Sequence, residues 1–141
     1  MQQGYNVFIS YRGAGSGGLL GKEIYTDLKN AYIKKGQPKI VPFFAPACIE
    51  KGENFKEAIG SAINNVSCVI LILNKGFFKR CNEKDDMIFF ELKQALKNPN
   101  ITFVPVIMED FSFEEELSSI SDIFTEEEIF RFKHINAINH H

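Results

Sequence analysis

The sequence predicts an α/β domain, with a central, mostly parallel, five-stranded sheet carrying helices on both faces. Three observations predict it. Short apolar runs of strand length alternate with segments whose apolar residues recur at helical spacing. One of those runs, Ser67–Leu73 (SCVILIL), is apolar almost throughout, as in a strand covered on both faces. The 141 residues, 45% of them hydrophobic and 14 of them Phe, suffice for one core of ordinary size. Alternation of this kind implies right-handed crossovers and a three-layer sandwich.

Taken in order, Tyr5–Ser10 (YNVFIS) reads as a short buried strand, followed by a glycine-rich turn at Gly13–Gly18. Leu20, Ile24, Leu28 and Ala31 then mark an amphipathic helix ending near Gly36. Lys39–Phe44 (KIVPFF) is a second strand, which Pro42 assigns to a sheet edge. An irregular loop, Ala45–Glu53, is punctuated by Pro46 and Gly52. Asn54 and Glu57 have capping-box spacing ahead of a helix with a clear stripe at Phe55, Ala58, Ile59, Ala62 and Ile63.

After Ser67–Leu73, a polar loop through Lys79–Lys84 leads to a helix start at Asp85 or Asp86. Ile88, Leu92, Ala95 and Leu96 form that helix's buried face, Asn98-Pro99 stops it, and Ile101–Ile107 (ITFVPVI) is the next strand. Phe113–Ile120 reads as a short helix, Thr125 with Glu128 as a second capping box, and Ile135–Ile138 as the fifth strand. The acidic runs Glu114–Glu116 and Glu126–Glu128 fall near helix starts, where they favour the helix dipole and read as solvated faces. The pattern calls for a helix after the fifth strand. The expectation is therefore a single domain over residues 1–138, N-terminal in a longer protein, with His140-His141 as a tag remnant.

Composition narrows the function. The net charge of −2, with no basic stripe, argues against nucleic acid. Cys48, Cys68 and Cys81 form no CxxC pair and are odd in number, which argues for reduced thiols rather than disulfides or zinc. A cysteine nucleophile is disfavoured because all three histidines lie at the C-terminal end. No signal peptide or membrane span is visible, so a cytoplasmic protein is expected.

The glycines of Gly13–Gly18 fit GxGxxG between a strand and a helix, the context of a dinucleotide fingerprint. That fold also wants an acid at the end of the second strand, where this chain has Phe43-Phe44-Ala45. A P-loop fails as well, because Glu23 follows Gly21-Lys22. A receiver domain needs acids where the first strand ends Ser10-Tyr11-Arg12. Alone, the motif reads as a small-residue turn.

Three blocks in order say more: FISYR ending the first strand, IEKGENF before the second helix, and Phe-Glu-Leu on the helix after the third strand. On these blocks the chain resembles the TIR (Toll/interleukin-1 receptor) domain family from Tyr5 to Ile138, and its NAD-cleaving bacterial members in particular. The resemblance implies a flavodoxin-like sandwich and a single catalytic glutamate, which here is Glu91. Helical geometry agrees, since Glu91 lies roughly 60° round from Ile88, at the border of the buried stripe and near the helix start. That end opens at the carboxyl ends of the strands, where open α/β sheets bind ligands.

One carboxylate suffices for such a reaction, because the pyridinium of NAD leaves as neutral nicotinamide without protonation. An ionised Glu91 then stabilises the oxocarbenium-like ribose, and no metal or other cofactor is required. Arg12 is expected to hold a phosphate through its fork of donors. Ser10, Tyr11 and Gly13 would line the nucleotide cleft, together with Phe44, Ala45, Pro46 and Met87. Two positions depart from the family pattern: Met87 stands where many enzymatic members carry Trp, and Ala45 where Asp is common. Glu50 and Gly52 match.

The Ala45–Glu53 loop has a family role in TIR–TIR contacts, which Cys48 and Ile49 suit. The implied partners are NAD, further TIR protomers and a C-terminal sensor or oligomerisation region. The implied setting is antiphage defence, with activation by clustering. The products would be nicotinamide and ADP-ribose or a cyclic form. A non-enzymatic TIR adaptor is the main rival, and a flavin-type nucleotide binder the third reading.

Overall fold

A computed structural model describes residues 4–12, 16–31, 36, 39–45, 54–83, 85–118, 120–133 and 138–139. Strands β1 (Val7–Ser10), β2 (Pro42–Phe43), β3 (Cys68–Leu73), β4 (Thr102–Ile107) and β5 (Ile138–Asn139) form one sheet in the order β2-β1-β3-β4-β5. Every pairing is parallel. The chain runs from β1 to one side, into β2, and then returns to β3 on the other. The carboxyl ends of β1 and β3 therefore flank the point where strand order reverses, the usual ligand position in open α/β sheets.

Strand alternation divides the apolar residues between two faces. Phe8, Val69, Leu71, Leu73 and Phe103 point into the larger core, against α2 (Phe55–Asn65), α3 (Met87–Leu96) and α5 (Glu126–Phe132). Ile59, Ile63, Ile88, Leu92 and Phe132 complete it from the helices. Ile9, Ile72 and Val106 face the opposite way, against Leu20 of α1 (Ser16–Lys29) and Phe44. A short helix, α4 (Phe113–Leu117), precedes α5. Among the described residues, no helix is long and apolar enough to cross a membrane.

Differences from the sequence expectation are local. The first helix begins at Ser16, so Gly17 and Gly18 belong to its first turn rather than to a preceding loop. A Cβ on Gly17 would lie 3.0 Å from Asn74 Nδ2 and 3.4 Å from the Arg12 carbonyl. The glycine thus lets the helix start approach the ends of β1 and β3 closely.

The second strand contracts from residues 39–44 to Pro42–Phe43, at the edge as Pro42 required. Asn6 replaces part of the ladder there: its side chain accepts from the Val41 N–H at 2.8 Å and donates to the Lys39 carbonyl at 2.7 Å. The helix expected over residues 113–120 closes at Leu117. The fifth strand pairs at Ile138–Asn139, while residues 135–137 lie outside the described set. The Thr125–Glu128 capping box is present in full, with both reciprocal bonds.

One reading is overturned. Glu116 is not on a solvated face but only 2% exposed. Its carboxylate accepts from the backbone N–H groups of Gly76 at 2.6 Å, Phe78 at 2.8 Å and Lys79 at 3.3 Å. It thereby pins the connection that follows β3.

Candidate active site

The cleft lies where the topology predicts, beyond the carboxyl ends of β1, β2 and β3. Tyr11 and Arg12 reach it from the end of β1, and Ala45 from beyond β2. Arg80 comes from a 3₁₀ turn at Lys79–Asn82. Asp86, Met87, Ile88 and Glu91 come from the start of α3. Its volume is about 220 Å³.

Helix α3 is aimed at this spot by its cap. Asp85 takes a left-handed conformation (φ 60°), and Asp86 then accepts from the Phe89 N–H at 3.0 Å. Of the two candidate helix starts, Asp86 is therefore the N-cap. Ile88, Leu92 and Ala95 bury one side of the helix and leave Glu91 at the edge of that buried face.

Glu91 meets β1 directly. Strand alternation places Ser10 on the same side as Phe8, toward α3, and its hydroxyl donates to Glu91 Oε1 at 2.8 Å. Ser10 is itself buried. The Glu91 residue keeps partial exposure, but its carboxyl is enclosed, and burial raises its pKa to about 8. The Ser10 hydrogen bond and the Arg12 charge oppose that rise, and the Asp86 charge adds to it. Burial, with a contribution from Glu91, also raises the Tyr11 hydroxyl.

Arg12 is placed differently from its expected use. It is 8% exposed, and its fork is engaged inside the protein. Nη1 and Nη2 donate to the two Asp86 oxygens at 2.6 and 3.1 Å. Nε and Nη2 donate to the Phe77 carbonyl at 3.0 and 2.5 Å. The donors foreseen for a phosphate instead join the end of β1 to the cap of α3 and to the connection that Glu116 pins.

The remaining expected residues divide three ways. Tyr11, Ala45 and Met87 line the cleft with Glu91. Phe44 is buried behind them, its ring 5.0 Å from that of Tyr11 and 5.7 Å from that of Tyr25. Gly13, Pro46, Cys48, Ile49, Glu50 and Gly52 lie outside the described residues. Cys81 borders the Arg12 guanidinium, and burial pushes its thiol up to about 12, so it is inert as a nucleophile at neutral pH.

Sequence reasoning missed three residues. Asp86 was visible as a cap but not as the partner of Arg12. Arg80 fell in a loop read only as polar. Glu116 carried no signal at all, since a run of three glutamates looks solvated.

No curated protein matches the sequence. Among solved structures, it is similar to the TIR domains in the structure of the activated Roq1 resistosome directly recognizing the pathogen effector XopQ. That likeness has a TM-score of 0.58 at 18% identity, over 96% of this chain and 87% of that one, and it shows the fold. The family model for the TIR domain matches residues 7–135, a span that takes in every residue lining the cleft. The chain belongs to the TIR domain family.

Proposed function

We propose that this TIR domain is an NAD glycohydrolase that breaks the nicotinamide–ribose bond at Glu91. The observation that carries the reading is the enclosed Glu91 carboxyl on the wall of a cleft at the strands' carboxyl ends, held by Ser10, while the other carboxylate on that wall, Asp86, is taken up by Arg12. Membership of a family with NAD-cleaving members supports it.

The chemistry asks little of the protein. The bond from ribose C1′ to the ring nitrogen breaks with its electron pair going to nitrogen, so the pyridinium becomes neutral nicotinamide. Positive charge then spreads over C1′ and the ring oxygen, and a carboxylate beside it lowers the barrier. Water or an internal nucleophile forms the new bond to C1′ and releases one proton. Without ligand, Glu91 holds its proton up to about pH 8. A pyridinium brought against it favours the charged form, so binding of this substrate and loss of that proton are coupled. The ionised carboxylate expected from the sequence is thus a property of the complex rather than of the free cleft.

Tyr11 and Met87 line the cleft and bring an aromatic ring and a thioether to it, groups suited to pack against the nicotinamide. Arg12 and Asp86 act as positioning residues, fixing the start of α3 relative to β1. The setting we infer is cytoplasmic, in antiphage defence, with activity switched on by clustering of protomers.

The test is incubation of concentrated, artificially clustered protein with NAD, with nicotinamide followed by chromatography. Release is expected, and Glu91→Ala is expected to reduce it by roughly 10²–10³-fold, the scale of losing one placed electrostatic group. Release that survives Glu91→Ala would remove the catalytic assignment. No release under any clustering condition would leave a domain that works through protein contacts alone.

A further inference from the structure

A dinucleotide brings a doubly charged pyrophosphate, and a cleft carrying Asp86 and Glu91 needs a cation to receive it. Two of the described lining residues are cationic, Arg12 and Arg80. Arg12 is matched two-pronged by Asp86 and turned toward the Phe77 carbonyl, so it contributes little net charge to the cleft.

We propose that Arg80 is the phosphate-binding residue of this site, taking the pyrophosphate of the dinucleotide; the inference rests on the NAD-cleaving reading above. Arg80 combines a fixed base with an exposed head. Its backbone belongs to the turn at Lys79–Asn82, and its N–H donates to the Gly76 carbonyl at 3.2 Å. Glu116 clamps the N–H groups of Gly76, Phe78 and Lys79 immediately before it, and Phe78 and Cys81 are buried on either side.

The stem has a seat as well. It runs past Gly76: a Cβ built there would meet Arg80 Cδ at 3.7 Å, an ordinary van der Waals distance, so the stem lies against the backbone of the turn. The Arg80 side chain is 56% exposed, and among the described residues its ion-pair contact is Nε to Glu83 Oε1 at 3.9 Å. That contact is solvated at both ends and worth little, so a phosphate displaces it at small cost. A planar fork on a rigid turn suits two-pronged capture of phosphate oxygens.

The experiment compares NAD with nicotinamide riboside, which has the same scissile bond and no phosphate, using the full clustered chain. In Arg80→Gln, the ratio of kcat/KM for NAD to that for nicotinamide riboside should fall about tenfold, the scale of one charge-assisted contact, with the loss carried by KM. Arg80→Lys should recover part of it. An unchanged ratio overturns the proposal. Glu91→Gln serves as the separate check on the parent reading, since it should abolish cleavage of both compounds. If no protein cleaves either compound, calorimetric binding of ADP-ribose decides: about tenfold weaker binding in Arg80→Gln supports Arg80. Equal binding, or binding by neither protein, overturns it.

Discussion

Burial and a hydrogen bond pull the Glu91 carboxyl in opposite directions, and burial wins. The net rise to about 8 leaves Glu91 mostly protonated in the free protein near neutral pH. If the ionised form does the work, kcat/KM for NAD, which reports the free enzyme, should climb about tenfold per pH unit below that value and level off above it. The pKa governing kcat should lie lower, because the bound pyridinium stabilises the carboxylate. Ser10→Ala sharpens the test. The hydroxyl donates to the charged form and so lowers the pKa, and its removal should move the bend in kcat/KM to higher pH. A profile flat from pH 6 to 9, or a bend that moves downward in Ser10→Ala, would disconnect Glu91 ionisation from turnover.

Helix α3 is the element on which the site depends, and one residue sets both its start and its place. Asp86 caps the helix and closes a buried, two-pronged ion pair with Arg12, the two side chains being 9% and 8% exposed. Asp86→Asn keeps a capping oxygen but strands the guanidinium without its counter-charge. That should cost about 3–5 kcal/mol, against about 0–1 for a solvated bridge. Urea unfolding of both proteins measures it, and a loss under about 1 kcal/mol would class the pair with surface bridges. Elements of this kind were legible where a local rule and the fold agree: Pro42 marks the edge strand, Thr125 and Glu128 mark a capping box, and the apolar run at β3 marks a strand covered on both faces. What stayed hidden depends on contacts between distant segments. The Gly17 contact with Asn74, the Asn6 bonds that shorten β2, and the Glu116 clamp on the β3 connection each join segments more than 30 residues apart. No period or cap spacing encodes them. Glu91 and its neighbours on α3 could be named because one short block carries them; the donors of Arg12 could not, since their acceptors lie 65 and 74 residues away.

At the scale of the molecule, the cleft is small for a whole dinucleotide. About 220 Å³ is less than the roughly 300–1,000 Å³ of ordinary small-molecule sites, and NAD carries a second nucleotide beyond the one at the scissile bond. The cleft wall formed by the described residues suits the nicotinamide and its ribose better than the whole dinucleotide. A second protomer set against the cleft would supply the missing surface, and on that proposal clustering would activate the domain without any change within it. Activity per molecule should then rise with protein concentration and approach a plateau once protomers pair. Tethering two copies through a flexible linker should remove most of that dependence, because the second copy is then held at an effective concentration of order millimolar. Mixing an Arg80→Gln chain with a Glu91→Gln chain adds a control on which copy supplies what. If both residues act from one copy's cleft, the mixture should stay as weak as the sum of its parts. Recovery beyond that sum would mean that the two residues meet across the interface. Activity per molecule that is constant across a hundredfold range of dilution would show instead that one chain closes the site alone, with the remaining surface coming from its own loops.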